Sequence, residues 1–207
     1  MVGGAAGYAV SELTRVHPTD ASEAVPMPAD SPSMPTVTAS STPTPTSKIV
    51  PDPDEYPPLD ISTLTFDENT ISTSSTTWSY EAPTDWELKP ADESGDRLVL
   101  PGNPDYTYSM RVNPLTVPAS TGALARARYA AIAGATGISD AVSLEISDHD
   151  MRMTYVASEH QRYQHTYFIS PPGSTTAVFE VTVSGRIRDI DGLDALLEYV
   201  VGTVHKV

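Results

Sequence analysis

The side chains whose types and spacing could do chemistry fall mainly between residues 148 and 194. Tyr163, His165 and Tyr167 occupy alternate positions of one apolar-rich run, and Tyr155 lies in the run before it. Alternate residues of a strand point the same way, so these rings are expected to share a face. Two readings stay open for that face. A buried imidazole must find hydrogen-bond partners, which makes a satisfied core histidine the preferred reading. The alternative is a small-ligand or lipid-binding face formed by Tyr155, Tyr163, His165 and Tyr167. His160 falls in a turn and is expected to be solvated.

Two acidic clusters invite metal chemistry, and simpler accounts cover both. Asp148-His149-Asp150 has ligand-type side chains, but three polar residues in a strand-to-strand turn need no ion to explain them. Asp189-Ile-Asp191-Gly-Leu-Asp194 superficially follows a calcium loop, yet it lacks the third oxygen ligand at its place and the closing Glu. A helix start with Asp191 as cap and Asp194 three residues on explains it better. The sequence contains no nucleophile elbow, phosphate loop, dinucleotide fingerprint or His-Glu-x-x-His motif. No catalytic, cofactor-binding or metal-ligating residue is therefore assigned, and the expectation is a protein that is not an enzyme.

These residues must be positioned by the meander over 151–185. It reads as three strands with turns at Ser158–Gln161 and Ser170–Ser174. Met151, Met153 and Tyr155 are expected on the face of Tyr163, His165, Tyr167 and Ile169, continued by Ala177, Phe179, Val181 and Val183. Arg152, Thr154, Gln164, Thr166, Glu180 and Thr182 would form the opposite, wetter face. Earlier strands are expected at Trp78–Tyr80, Arg97–Leu100 and Tyr106–Val112, with another at Val142–Ile146. A helix over Ala123–Ala133 has Leu124, Ala127, Ala131 and Ile132 on one face, Ser120 or Thr121 as cap and Gly134 at its end. Leu193, Leu196, Leu197, Val200, Val201 and Val204 recur at three- and four-residue steps and predict a closing helix that lies on the sheet. The fold class is α+β, a mostly antiparallel sheet packed by two helices.

Composition divides the chain. Eleven of the 19 prolines lie between Pro18 and Pro58, among Ser, Thr and Ala, where there is little to build a core. Three segments are expected: 1–17 as a frayed terminus or the remnant of a membrane anchor, 18–73 as a disordered linker, and 74–207 as the folded domain. Residues 1–10 are too few to span a bilayer, which needs about 20 apolar residues. The formal net charge is −15, from 27 acids against 12 bases. Such a chain is repelled by nucleic acid phosphates and anionic lipid. The absence of cysteine excludes a thiol nucleophile and thiolate metal sites.

Trp78-Ser-Tyr-Glu-Ala-Pro-Thr-Asp-Trp86 resembles the opening of PsbP/Mog-like domains, where a strand leads into a Pro-x-Gly-Trp turn. Asp85 stands in the place of that Gly. The Met153-Thr-Tyr-Val run, the Tyr163–Ile169 and Ala177–Val183 strands and the closing Leu/Val helix follow the same order. Within that superfamily the chain looks most like actinobacterial envelope proteins: LpqN-type lipoproteins and type VII secretion-associated proteins. The missing lipobox cysteine speaks against the lipoprotein form. The resemblance implies a sandwich fold and a non-catalytic, extracytoplasmic domain, tethered to a membrane through an N-terminal anchor or secreted. It would bind a partner protein in the cell envelope, and it supplies no cofactor and no catalytic residues.

Overall fold

Every strand of the domain is antiparallel to its neighbours, and the strands form two sheets. The computed structural model describes residues 49–53, 56–92, 95–102 and 107–207. The expected anchor remnant at 1–17 and the expected linker over 18–48 lie outside the described residues. The smaller sheet has the order β1-β2-β10, formed by β1 (Phe66–Ser72), β2 (Thr77–Pro83) and the short β10 (His205–Lys206). The larger has seven strands, β3 (Glu87–Asp92), β4 (Gly95–Val99), β5 (Tyr108–Pro114), β6 (Ile138–Ile146), β7 (Asp150–Ala157), β8 (His160–Ile169) and β9 (Phe179–Arg186). Their order across the sheet is β3-β4-β5-β9-β8-β7-β6. Helix α1 (Thr121–Ala133) joins β5 to β6, and α2 (Ile190–Thr203) follows β9. The expected α+β class, a mostly antiparallel sheet with two helices, describes this architecture.

The helices lie on opposite faces of the large sheet. The α2 face carries Leu98, Met110, Val112, Val181 and Val183, buried against Leu193, Leu196, Leu197 and Val200, with Tyr80 and Ala82 of β2 closing the layer. The second core, under α1, is smaller: Met151, Met153 and Phe168 meet Ala125 and Ala177. The expected α2 stripe is thus the buried face, because its four central Leu and Val residues repeat at helical spacing. In α1 the buried face is Thr121, Gly122 and Ala125, with Leu124, Tyr129 and Ile132 packed beside it. Ala127 and Ala131, expected on that face, are exposed. Alanine is a good helix former whichever way it points, so its spacing carried no directional signal. Ser120 caps α1 by accepting from the Ala123 N–H at 3.3 Å, and Gly134 ends it.

The meander pairs differently from its expected faces. Ser158 and Glu159 form a two-residue turn, both in left-handed backbone conformation, and Ala157 stands opposite His160. Across an even-membered loop, odd-numbered residues oppose even-numbered ones. Met153 therefore pairs with Gln164, Arg152 with His165 and Tyr155 with Arg162. Met151, Met153 and Tyr155 lie on the α1 face, and Tyr163, His165 and Tyr167 on the α2 face. Between β8 and β9 the expected grouping holds, with Tyr167 opposite Val181 and His165 opposite Val183. Ala177 departs from it by packing into the α1-side core.

The expected boundary at residue 74 moves toward the N-terminus. β1 pairs with β2 along its whole length, from Phe66↔Pro83 to Ser72↔Thr77. Before it, residues 50–53 and 56–60 form a strap along the domain. The Val50 N–H donates to Glu159 O at 2.8 Å, and Asp52 takes two hydrogen bonds from Arg162 Nη1 at 2.7 and 2.8 Å. His160, expected to be solvated, sits 3.2 Å from Asp52. Fully buried Arg186 donates to Asp189 and to the carbonyls of Tyr56 and Pro57. The Leu59 N–H donates to Asp189 Oδ1 at 3.1 Å. Leu59 lies so close to Gly192 that a Cβ there would come within 2.0 Å of Leu59 O, so only glycine fits that turn of α2. This strap escaped the reading of a linker because its anchors are one leucine, one aspartate and backbone carbonyls, which leave no periodic trace.

Candidate functional site

Two consecutive rows of the large sheet and one turn of α2 build the candidate site. Glu145, Arg152 and His165 stand side by side on β6, β7 and β8. In the next row Asp150 faces Tyr167. From above, α2 lowers Asp194 onto His165. The imidazole lies between two carboxylates, Nδ1 at 2.7 Å from Asp194 Oδ1 and Nε2 at 2.9 Å from Asp150 Oδ1. The Tyr163 hydroxyl donates to the same Asp194 oxygen at 2.6 Å. Arg152 approaches Asp150 at 3.5 Å, Glu145 at 3.7 Å and Asp194 at 3.9 Å.

The proton inventory of this cluster follows from its distances. Arg152 Nε lies 3.3 Å from His165 Nε2, which is a hydrogen bond only if that nitrogen carries a lone pair. The Asp150 contact is short but not aligned as a hydrogen bond, and that oxygen has no other hydrogen-bond partner. Two carboxylates within 3 Å favour the protonated ring, and in that form the Arg152 contact is one of proximity. Burial alone would lower the pKa of His165, whose side chain is 5% exposed. The hydrogen bond to Asp194 and the charges of Asp150 and Asp194 outweigh it, and the net shift is upward. Burial would raise Asp194, but hydrogen bonds from His165 and Tyr163 and the charges of His165 and Arg152 lower it. Tyr163 is pushed up, first by burial and then by its bond to Asp194.

Beside this cluster a cleft of about 410 Å³ opens between the sheet and α2. Asp150, Asp194 and Glu198 line it with Arg152 and His165, three acids to two bases, and Leu197 and Val201 supply an apolar wall. Chemically the cleft suits a cation on an apolar stem.

Of the expected ligand face, His165 and Tyr167 line this cleft, while the Tyr163 hydroxyl is occupied by Asp194. Tyr155 does not join them. It lies on the opposite face of the sheet, partly buried beside the α1-side core. His165 is buried, with Nδ1 hydrogen-bonded to Asp194. Sequence reasoning assigned Asp194 to a capping box and Asp150 to a turn. In the structure α2 has Asp189 at its cap position with no side-chain cap bond, and Asp191 sits in the first turn. Asp194 points inward instead, one helical turn before Leu197 and on the same side, a spacing that could have flagged it. His149 is held by the Phe168 carbonyl, 3.1 Å from Nδ1. Among the described residues no group of His, Cys, Asp or Glu is placed to hold a metal ion, and no helix is long and apolar enough to cross a membrane.

Fold and site together define a two-helix antiparallel α+β domain with a charge-lined cleft under its closing helix. Among solved structures it is similar to the Ran-binding protein Mog1p of Saccharomyces cerevisiae, at 9% identity and a TM-score of 0.43, over 68% of this chain and 96% of that one. It is also similar to LpqN of Mycobacterium tuberculosis, involved in cell envelope biogenesis, at 15% identity and a TM-score of 0.43, over 71% and 94%. Neither likeness is close enough to fix a family or a function. No family model matches the chain, and no curated protein matches it.

Proposed function

We propose that this is a non-catalytic binding domain that engages a partner protein in the cell envelope through the cleft beside His165. One observation carries the reading: an acid-dominated cleft with an apolar wall, in a domain of net negative charge, fits a lysine or arginine presented by another protein. The cleft's acids would meet the ammonium or guanidinium, while Leu197 and Val201 would cover its methylene stem. The engaged His165 supports a role in holding this geometry rather than in proton transfer.

In its narrower form the reading takes the Pro/Thr-rich stretch before the domain as a stalk, with the domain outside the cytoplasm and tethered at a membrane or secreted. An accessory of type VII secretion is the narrowest version, supported by the Trp78–Trp86 resemblance alone. The test is a photo-crosslinking amino acid at Val201, on the apolar wall of the cleft, of the full chain in cells, followed by peptide mapping of the adduct. A basic residue at the crosslinked position of one partner, with the adduct lost in Glu198→Lys and at high salt, is the expected result. A crosslink indifferent to both changes would contradict the reading.

A further inference from the structure

The row of the large sheet that carries the site stops at an open edge. It runs from Val183 on β9 through His165 and Arg152 to Glu145 on β6. Among the described residues β6 is the last strand of the sheet, paired with β7 on one side and with no strand on the other. One carbonyl of β6, that of Ala141, accepts the Tyr129 hydroxyl at 3.4 Å. An unpaired side of a strand offers its backbone N–H and C=O groups to any chain that lies along it. The opposite edge strand, β3, contains Lys89 and Pro90, residue types that blunt such pairing. The sequence of β6 contains no Lys, Arg or Pro.

The side chains along this edge determine what can lie there. Val142 stands opposite Thr154 and Glu145 opposite Arg152, which puts both on the α2 face. Val142 and Leu144 are more than half exposed. Glu145 is half exposed, and its cation Arg152, 3.7 Å away, is shared with Asp150 and Asp194. Asp140 is exposed as well, so the edge is apolar and acidic. A second copy of the chain fits it badly. Antiparallel pairing centred on Val142 and Ser143 would set Asp140 against Glu145, acid against acid. Register shifts on both sides of Val142–Ser143 also bend β6, and bulges of this kind resist the joining of two long edges. A short segment with one apolar and one basic residue at alternate positions complements both Val142 and Glu145.

We infer that β6 takes up an extended segment of the partner protein as an added strand, with a basic side chain beside Glu145 and an apolar one beside Val142. This deepens the reading of a partner-binding domain and rests on it. Arg152, which lines the cleft, is the neighbour of Glu145 in the same row, so edge and cleft are adjoining parts of one surface.

Amide hydrogen exchange of the full chain, titrated with the capped peptide Ser-Lys-Thr-Val-Ser-Lys-Thr-Val-Ser, tests it. The lysines and valines of this probe share one face of a strand. Saturable binding is expected, with exchange slowed about tenfold or more at amides within Val142–Ile146. The same peptide N-methylated throughout keeps its charge and side chains but cannot donate to an edge. It should bind about tenfold more weakly, and so should the peptide with glutamate in place of lysine. In the protein, Val142→Lys should abolish the protection with its melting curve retained. Equal affinity for the parent and N-methylated peptides would overturn the inference, as would equal affinity for the glutamate peptide. Protection confined to other strands, failure to saturate, or unchanged binding to folded Val142→Lys would do the same. The crosslink at Val201 reports on the cleft and these amides on the edge, so failure of one is told apart from failure of the other.

Discussion

The two faces of the seven-stranded sheet carry the same ingredients in opposite order. On the α2 face one row reads Leu98, Met110, Val183, then His165, Arg152 and Glu145, apolar on β4, β5 and β9 and charged on β8, β7 and β6. On the α1 face the neighbouring row reads Arg97, Arg111, Thr182, Thr166, then Met151 and Ile146, polar first and apolar last. Helix α1 covers the apolar part of its face and leaves the polar part beyond its edge, whereas α2 covers the apolar part and also reaches the charged part through Asp194. A sheet covered by offset helices therefore has a recess on each side, diagonally opposed. The difference is in charge: the α2 recess is acidic and internally paired, and the α1 recess is rich in arginine.

The comparison weights the α2 face heavily in stability, and the largest effect should come from stripping that side. A chain begun at residue 74 loses β1, Leu59 and the strap that Arg186 and Asp189 hold. It should show no cooperative melting transition, whereas a chain begun at residue 49 should melt like the full protein. Equal melting of the two fragments would mean that the strap and β1 contribute little.

A smaller effect separates the buried carboxylates of the two recesses. Glu180 on the α1 side is 3% exposed, and Arg128→Met leaves that charge without its cation, at a cost of about 3–5 kcal/mol. Asp194 is 31% exposed and keeps other donors, so Arg152→Met should cost about 1 kcal/mol or less. Denaturant unfolding of both variants measures the contrast. A larger loss in Arg152→Met would reverse the ranking of the two sites.

The subtlest effect is the pH dependence of the α2 recess. His165 has a raised pKa, so its contribution is fully present below the unfolded histidine value of about 6.5. It is lost as pH rises through the folded value. Asp194 is lowered, so its contribution is present above the unfolded value and lost as pH falls through the folded one. Stability from this pair should therefore be greatest between the unfolded values of Asp and His. Melting temperatures across pH 5–9 (roughly the range over which histidines titrate) should decline on the alkaline side, and less steeply in His165→Gln. An identical decline in that variant would assign the pH effect to another group.

How much of this was legible depended on whether a residue's partner was near in sequence. The α2 stripe announced itself through Leu193, Leu196, Leu197 and Val200, because a helix repeats its buried face locally. The meander strands and the turn after Ala157 were equally plain. Which faces met was not, because both sides of β8 are buried from Tyr163 to Thr166. Two covered faces erase the alternation between wet and dry that would have fixed the register. Half of the candidate site came through: His165 and Tyr167 were singled out, while Tyr155 was placed on the wrong side by that lost register. Asp194 gains its role from residues far along the chain, His165 at 29 positions and Tyr163 at 31, distances at which no local pattern reports.

The strap formed by residues 50–53 and 56–60 also decides where a pull on the N-terminal end is felt. Tension there reaches Val50 and Asp52 first, then the carbonyls of Tyr56 and Pro57, and finally Leu59 against Gly192. These anchors are met in series along the chain rather than side by side. A stretched chain would thus loosen one fastening at a time while both sheets stay whole. The contacts of the strap act as a mechanical fuse, giving way before β1 and the core beneath α2 bear the load.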